Sequence, residues 1–306
     1  MGGLIIVAGP TASGKSLAGI ELATRLNAEI ISVDSVQVYK GLDIGSAKPD
    51  GPRLAQVKHH MLDVVEAHEH MDAGRFVKLA QDCIDDISSR GKNIIMVGGT
   101  GLYFKALLYG LAEIPDVDAS IRIQLQARLE NEGLESLREQ LQALDPEGAA
   151  RIKPGDKQRT LRALEVALAT GCTLSSYYAA QKVEPKYTHL LWGLDIPRPQ
   201  LKERIALRAQ QMWEQGLLRE VASLLASGVS PDTPSLSSLG YRQAVAVLQG
   251  QMNEHDALQQ MITRTQAYAK RQLTWFKAMP GITWAFSWQE MLIPSMEFLK
   301  LNNGYL

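Results

Sequence analysis

Cysteine is nearly absent: Cys83 and Cys172 are the only two in 306 residues. They stand far apart with no companion cluster of His or Cys, which excludes a disulfide framework and a cysteine-based zinc site. Each is expected to be a small buried or half-buried residue. A surplus of one charge sign is missing too. Lys and Arg number 32 against 33 Asp and Glu, a formal net charge of −1, so any nucleic-acid partner must be met by local basic clusters and not by the average charge. No apolar run approaches the length of a membrane span, and the start, Met1 to Gly9, lacks the basic and apolar regions of a secretion signal. A cytoplasmic protein without a membrane partner is expected. Internal repeats and low-complexity tracts are lacking as well. What remains is an ordinary globular composition, 45% hydrophobic and 21% charged, long enough for one large domain or a core with an added module.

What is present begins with Gly9-Pro10-Thr11-Ala12-Ser13-Gly14-Lys15-Ser16, directly after the apolar stretch Leu4 to Ala8 and before the helical pattern Leu17, Ile20, Leu22. Strand, G-x-x-x-x-G-K-S loop and helix form a phosphate cradle. The loop backbone folds into a nest of N–H groups, the helix adds its positive end, Lys15 reaches the outer phosphates and the Ser16 hydroxyl is a ligand for Mg²⁺. The loop alone names no reaction, since ATPases, GTPases, kinases and transferases of other diphosphates all use it.

Glu29 to Asp34 and Asn93 to Thr100 predict two further buried strands, with a helix over 73–90 between them. Such alternation implies a parallel sheet covered on both faces, with ligands beyond the carboxyl ends of the strands. The phosphate loop, Asp34 and Thr100 all lie at those ends, so three separated segments should converge on one pocket. After Pro115 come helical segments over 121–144 and 158–169, and His189 to Ile196 predicts a returning strand. The expected fold is an α/β, P-loop NTPase-like parallel sheet covered by helices, with a helical insertion domain. Residues 1–115 would form the first part of the core and 116–186 the insertion. Residues 187–306 would complete the core, with helices over 199–226 and 255–277.

Asp34-Ser35-Val36-Gln37 places a carboxylate, a hydroxyl and an amide at a strand end. A carboxylate accepts from an exocyclic amine, and an amide offers the paired donor and acceptor that suit an adenine edge. Equally, Asp34 could cap a helix or order a Mg²⁺ shell. Thr100, after a glycine pair, could be a helix N-cap. Seven ordered segments carry a more specific signal: GPTASGKS at 9–16, ISVDSVQVYKGLDIGSAKP at 31–49, HHMLDV at 59–64, VGGTGLYFKAL at 97–107, DKQRTLRALEV at 156–166, LGYRQ at 239–243 and RQLTWF at 271–276. In these the chain resembles the bacterial tRNA dimethylallyltransferases, also called tRNA isopentenyltransferases, over nearly its whole length. Lys58, where many members carry Pro, and Met71-Asp72, where Tyr-Ser is common, depart from the pattern and are expected to alter local packing only. His59 and His60 lack a metal-ligand spacing.

The resemblance implies transfer of a dimethylallyl group from its diphosphate to N6 of the adenosine immediately 3′ of a tRNA anticodon. Gly9 to Ser16 would hold the diphosphate of that donor, with Mg²⁺ near Ser16. Asp34 would take the N6 proton, Ser35, Val36 and Gln37 would hold the base, and Thr100 would lie beside the reacting groups. Arg208 would close over the diphosphate, with Arg204 one turn earlier as a rival. By the same resemblance Arg122 and Gln158, Arg159, Thr160, Leu161 and Arg162 contact the tRNA, while Ser237, Ser238, Leu239, Gly240, Tyr241 and Arg242 lie near the anticodon stem-loop. Basic clusters agree with local RNA contact: Arg151, Lys153, Lys157, Arg159 and Arg162 crowd against only Asp156, and Arg264, Lys270, Arg271 and Lys277 form an acid-free stretch. A monomer is expected.

Overall fold

The run Leu4–Ala8 (β1) is apolar throughout and buried at every residue, the pattern of a central strand with helices on both faces. A computed structural model describes residues 3–181 and 184–303. In it β1 is followed by the helix Lys15–Arg25 (α1), the strand Ala28–Val33 (β2), the short helix Gly51–Gln56 (α2) and the two-residue strand His59–His60 (β3). Then come Ala73–Ser89 (α3), Asn93–Gly98 (β4) and Gly101–Tyr109 (α4). The side chain of Asp72 caps α3 by accepting from the Arg75 N–H, so the departure at that position supplies a cap of its own.

Tight packing divides the described chain into two units, one of residues up to 108 together with 185 onward, the other 109–184. The second unit therefore starts before the expected 116. It contains Ala119–Leu144 (α5), Pro146–Arg151 (α6), Lys157–Thr170 (α7) and Leu174–Ala180 (α8). Its own core gathers Leu125, Leu137, Leu141, Ala149, Ala163 and Leu164. Asp145 caps α6 through the Gly148 N–H at 2.8 Å and accepts from the Ser175 hydroxyl at 2.6 Å, which ties α8 to it. The helix expected over 121–144 is broken inside at Gly133, where φ is 82°.

The first unit resumes with His189–Leu194 (β5), Arg198–Gln215 (α9), Leu217–Ala226 (α10), Tyr241–Leu248 (α11), Glu254–Lys277 (α12), Ile282–Ala285 (β6) and Trp288–Asn303 (α13). Six parallel strands lie in the order β3-β2-β4-β1-β5-β6. The single helix expected over 199–226 is two, separated at Gly216 with φ 106°. Cys83 is half-buried, but Cys172 is exposed and not the buried residue expected. At the start of β2, buried Glu29 accepts from His60 at 2.6 Å and from Arg90, whose guanidinium first and foremost holds that carboxyl down to about 2. No described helix is long and apolar enough to cross a membrane.

The carboxyl ends of β2 and β4 approach too closely for a side chain. A Cβ on Gly98 would lie 2.0 Å from the Val33 carbonyl oxygen, a backbone atom that cannot give way without breaking the ladder. Gly98→Ala should therefore cost about 3 kcal/mol or more of unfolding free energy, read as a lowered urea midpoint; a midpoint equal to wild type would contradict this packing.

Candidate functional site

The phosphate loop closes at the end of β1. The Ser13 N–H donates to the Pro10 carbonyl at 3.3 Å, Ala12 adopts a positive φ of 62°, and Gly14, in the left-handed region at φ 96°, starts α1. Gly9 and Pro10 are buried beneath, while Thr11 and Ala12 face the cleft described below. The Ser13 hydroxyl is buried without a hydrogen-bond partner, and such orphans mark places where a ligand or water completes the set. Ser16 is exposed. Lys15 folds its ammonium back to the Pro10 carbonyl at 3.3 Å, and burial pushes it down to about 8, with Asp34 pulling upward and Arg208 adding to the fall.

Asp34 leaves the end of β2 and turns back on its own chain: Oδ1 accepts from the N–H groups of Val36 at 2.8 Å and Gln37 at 3.3 Å. It closes a turn, not the helix cap that one sequence reading offered, and faces a cleft of about 500 Å³ with Ser35, Val36, Lys15 and Arg208. Thr100 does not line that cleft. Its hydroxyl accepts from the Ser35 N–H at 3.1 Å, so it orients the Asp34 turn. Gln37 is likewise a brace and not a free base-reading amide. Its oxygen accepts from Ser32 Oγ at 2.9 Å, and its nitrogen donates to the carbonyls of Ser46 and Ala47, each at 3.2 Å.

A second cleft of about 930 Å³ lies on the other side, lined by Gly14, Ser16, Asp43, Lys48, Arg53 and Arg204 among others. Ala12, Lys15, Arg208 and Met212 face both clefts. The two candidate arginines are separated by this geometry. Burial lowers Arg208 while the Asp34 charge raises it, so its guanidinium sits among the charged groups. Arg204 is exposed and donates to the Ser13 carbonyl at 3.4 Å on the outer side of the loop.

The far wall of the first cleft is α12, which the sequence singled out for its basic residues and for the RQLTWF segment without giving its other side chains a role. Arg264 and Arg271 line it, and so do Tyr268 and Gln272. Burial first, then the Asp34 charge, pushes the Tyr268 phenol up to about 12. Gln272 accepts from the Thr11 N–H at 2.9 Å and donates to the Gly99 carbonyl at 2.8 Å, joining the phosphate loop to the β4 end. The family motif RQLTWF contains Gln272, but only contacts across 261 and 173 residues of chain reveal what it does.

Ser237, Ser238, Leu239 and Arg242 border the first cleft, whereas Gly240 and Tyr241 are buried. Tyr241 is 0% exposed with its hydroxyl on Glu220 at 2.7 Å, so the expected RNA contact is not available to it. In the 109–184 unit, Arg122, Gln158, Arg159 and Arg162 are exposed. Thr160 is not: it is 0% exposed and bonds the Asp156 carbonyl, and Leu161 packs on the unit's core. The basic cluster is also less bare than its sequence suggests, since Arg151 pairs with Glu147, Arg159 with Asp156 and Arg162 with Glu165. Among the described residues no group of three His, Cys, Asp or Glu could hold a metal ion. A magnesium ion at Ser16 would need its remaining ligands from a substrate's phosphates and water, which is how Mg²⁺ is commonly held beside phosphates.

Comparison with known proteins gives one answer. The family profile described as IPP transferase matches residues 37–279. The chain is 43% identical over 282 residues to tRNA dimethylallyltransferase 1 of Trichlorobacter lovleyi, covering 92% of each. It is 44% identical to the tRNA dimethylallyltransferase of Anaeromyxobacter dehalogenans, over 92% of this chain and 94% of that one. The structure of the tRNA isopentenylpyrophosphate transferase from Bacillus halodurans superposes with a TM-score of 0.73 at 33% identity, covering 98% of both chains. That of a eukaryotic dimethylallyltransferase acting on tRNA superposes with a TM-score of 0.83 at 27% identity, over 99% of this chain and 80% of that one. With a phosphate loop, a cleft-facing carboxylate and this breadth of similarity, the chain belongs to the tRNA dimethylallyltransferase, or IPP transferase, family.

Proposed function

We infer that this protein transfers the dimethylallyl group of dimethylallyl diphosphate to N6 of the adenosine immediately 3′ of the anticodon in tRNA, releasing pyrophosphate. The observation that carries the reading is the shared position of Lys15 and Arg208. Both face the cleft that holds Asp34 and also the second cleft beside the phosphate loop. The diphosphate would enter on the loop side and the adenine on the Asp34 side, meeting between them. We take the protein to act as a monomer in the cytoplasm.

The loop amides, Lys15 and Arg208 bind the diphosphate and neutralise charge that grows as the carbon–oxygen bond breaks and its electron pair leaves with pyrophosphate. The planar guanidinium of Arg208 can grip two oxygens at once. Ala12, Ile205, Ala209 and Met212 give the five-carbon group an apolar wall. Asp34, fixed by its turn and by Thr100, aligns N6 on the allylic carbon and accepts the proton that N6 loses. The Ser16 hydroxyl would hold Mg²⁺, which would supply Lewis-acid charge to the diphosphate when bound. Ser237, Ser238, Leu239, Arg242, Arg264 and Arg271 meet the anticodon loop. Arg122, Gln158, Arg159 and Arg162 meet the backbone elsewhere. The target base must leave its stack, which costs little in a single-stranded loop.

Incubation with dimethylallyl diphosphate and unmodified tRNA, followed by mass analysis of the nucleosides, should yield isopentenyladenosine with no need for ATP. Consumption of ATP with a small acceptor, and no prenylated adenosine, would mark a kinase instead. Asp34→Asn keeps size and hydrogen bonding but removes the anionic acceptor. Single-turnover transfer should fall about a hundredfold or more, with tRNA affinity little changed. A wild-type rate would remove Asp34 as the proton acceptor.

Lys15 gives a pH signature. Its ammonium form binds the diphosphate, and in the free protein that form is lost as pH rises through about 8. Donor affinity should be level below that pH and weaken about tenfold per unit above it, until the pKa of the bound state is reached. Calorimetric titration of the donor at several pH values measures this, and Lys15→Ala should bind weakly with the slope abolished. An affinity independent of pH from 7 to 9 in the wild type would contradict the assignment.

A further inference from the structure

The loop after β2 forms a wall of both clefts: Gly45 and Ser46 face the Asp34 side, and Asp43, Ile44 and Ala47 face the phosphate-loop side. It has no regular secondary structure to satisfy its backbone, so its N–H groups need other partners. Three of them find theirs on one side chain that is remote in sequence. The Glu220 carboxylate, on α10, accepts from the N–H groups of Asp43 at 3.1 Å, Ile44 at 2.7 Å and Gly45 at 3.3 Å. The Tyr241 hydroxyl donates to the same carboxylate at 2.7 Å. Three successive N–H groups thus end on one carboxylate that Tyr241 holds in turn. The opposite edge of the loop is held by Gln37, whose amide nitrogen donates to the Ser46 and Ala47 carbonyls.

We propose that Glu220 is a positioning residue for prenyl transfer, one that clamps the 43–46 loop to the first turn of α11 and so couples the RNA-facing segment to the reacting cleft; the proposal rests on the transferase reading above. Tyr241 is the first residue of α11 and the neighbour of Arg242, which borders the cleft mouth. Burial above all, with the Glu220 charge behind it, pushes the Tyr241 phenol upward, so it stays a neutral donor to the carboxylate. A carboxylate among converging N–H groups gains charge-assisted hydrogen bonds to several of them at once. Displacing α11 on RNA binding therefore moves the loop that walls the site where the five-carbon group and the adenine meet. Glu220 touches neither of them, and it acts through Gly45, Ser46 and Gln37 on the Asp34 turn.

Two variants test this. Tyr241→Phe removes one hydroxyl and keeps the packed ring; Glu220→Gln replaces one acceptor oxygen by a donor that opposes the loop N–H groups. Hydrogen exchange of the free proteins should show faster exchange at 43–46 in both, whatever the activity. With enzyme in excess and both substrates saturating, at a temperature well below unfolding, transfer should slow about tenfold or more. Donor affinity, set by the phosphate loop, should change less than about threefold, and the double variant should be no slower than the worse single one. Transfer within threefold of wild type, or a donor affinity that falls in step with the rate, would overturn the proposal, as would unchanged exchange at 43–46. A wild-type protein that makes no prenylated tRNA would instead overturn the transferase reading, while the exchange result would still report on the clamp.

Discussion

Val33 opposite Gly98 is the pairing on which the site depends. Two parallel strands, far apart in sequence, come together there without a side chain between them, and the residues just beyond inherit that closeness. Thr100 donates its N–H to the Val33 carbonyl at 3.3 Å and then accepts from the Ser35 N–H at 3.1 Å. The Asp34 turn is therefore set by the sheet and not by a loose loop, which is what alignment of a weak nucleophile requires. The phosphate loop leaves β1, the other neighbour of β4, so the loop and the Asp34 turn are mounted on the two strands that flank β4.

The charges gathered at those strand ends do not balance among the protein's own side chains. Lys15 and Arg208 are each lowered by burial, and the single Asp34 carboxylate only partly offsets this. An isolated cation out of water is unfavourable, and an anionic ligand relieves it. In the proposed transfer the same two cations would serve both binding of the diphosphate and the departure of pyrophosphate, when the negative charge they face becomes largest. Asp34 has the opposite sign and shares its cleft with apolar Ile205, Ala209 and Met212.

Strand, phosphate loop and helix were legible in the sequence because all their determinants are local: an apolar run, a spacing and a helical period at 4–25. The long helices over 73–89 and 254–277 were legible for the same reason. Two-residue β3 and four-residue β6 carry too few residues for a period to register, and Gly240-Tyr241-Arg242 hid the start of α11. The loop motif placed Lys15 in the site and the family resemblance placed Asp34 and Arg208, but neither could distinguish a side chain that faces the cleft from one that braces it. Thr100, Gln37 and Tyr241 are polar, adjacent to cleft residues in sequence, and consumed by internal hydrogen bonds. Tertiary contacts decide that distinction. Glu220, Tyr268 and Gln272 escaped notice because their partners lie far away along the chain.

Gln272 illustrates how a neutral side chain can be as demanding as a charged one. One end of its amide must accept, from Thr11, and the other must donate, to Gly99. The position is 7% exposed, so water offers little substitute for either partner. A glutamate of the same length and shape would set an oxygen against the Gly99 carbonyl oxygen, adding a buried anion beside the phosphate loop. Chemical ageing by amide hydrolysis makes that same change without any mutation. One atom exchanged in one residue on α12 would thus set a negative charge where the incoming diphosphate must bind, turning an intact, folded enzyme into one that repels its own donor.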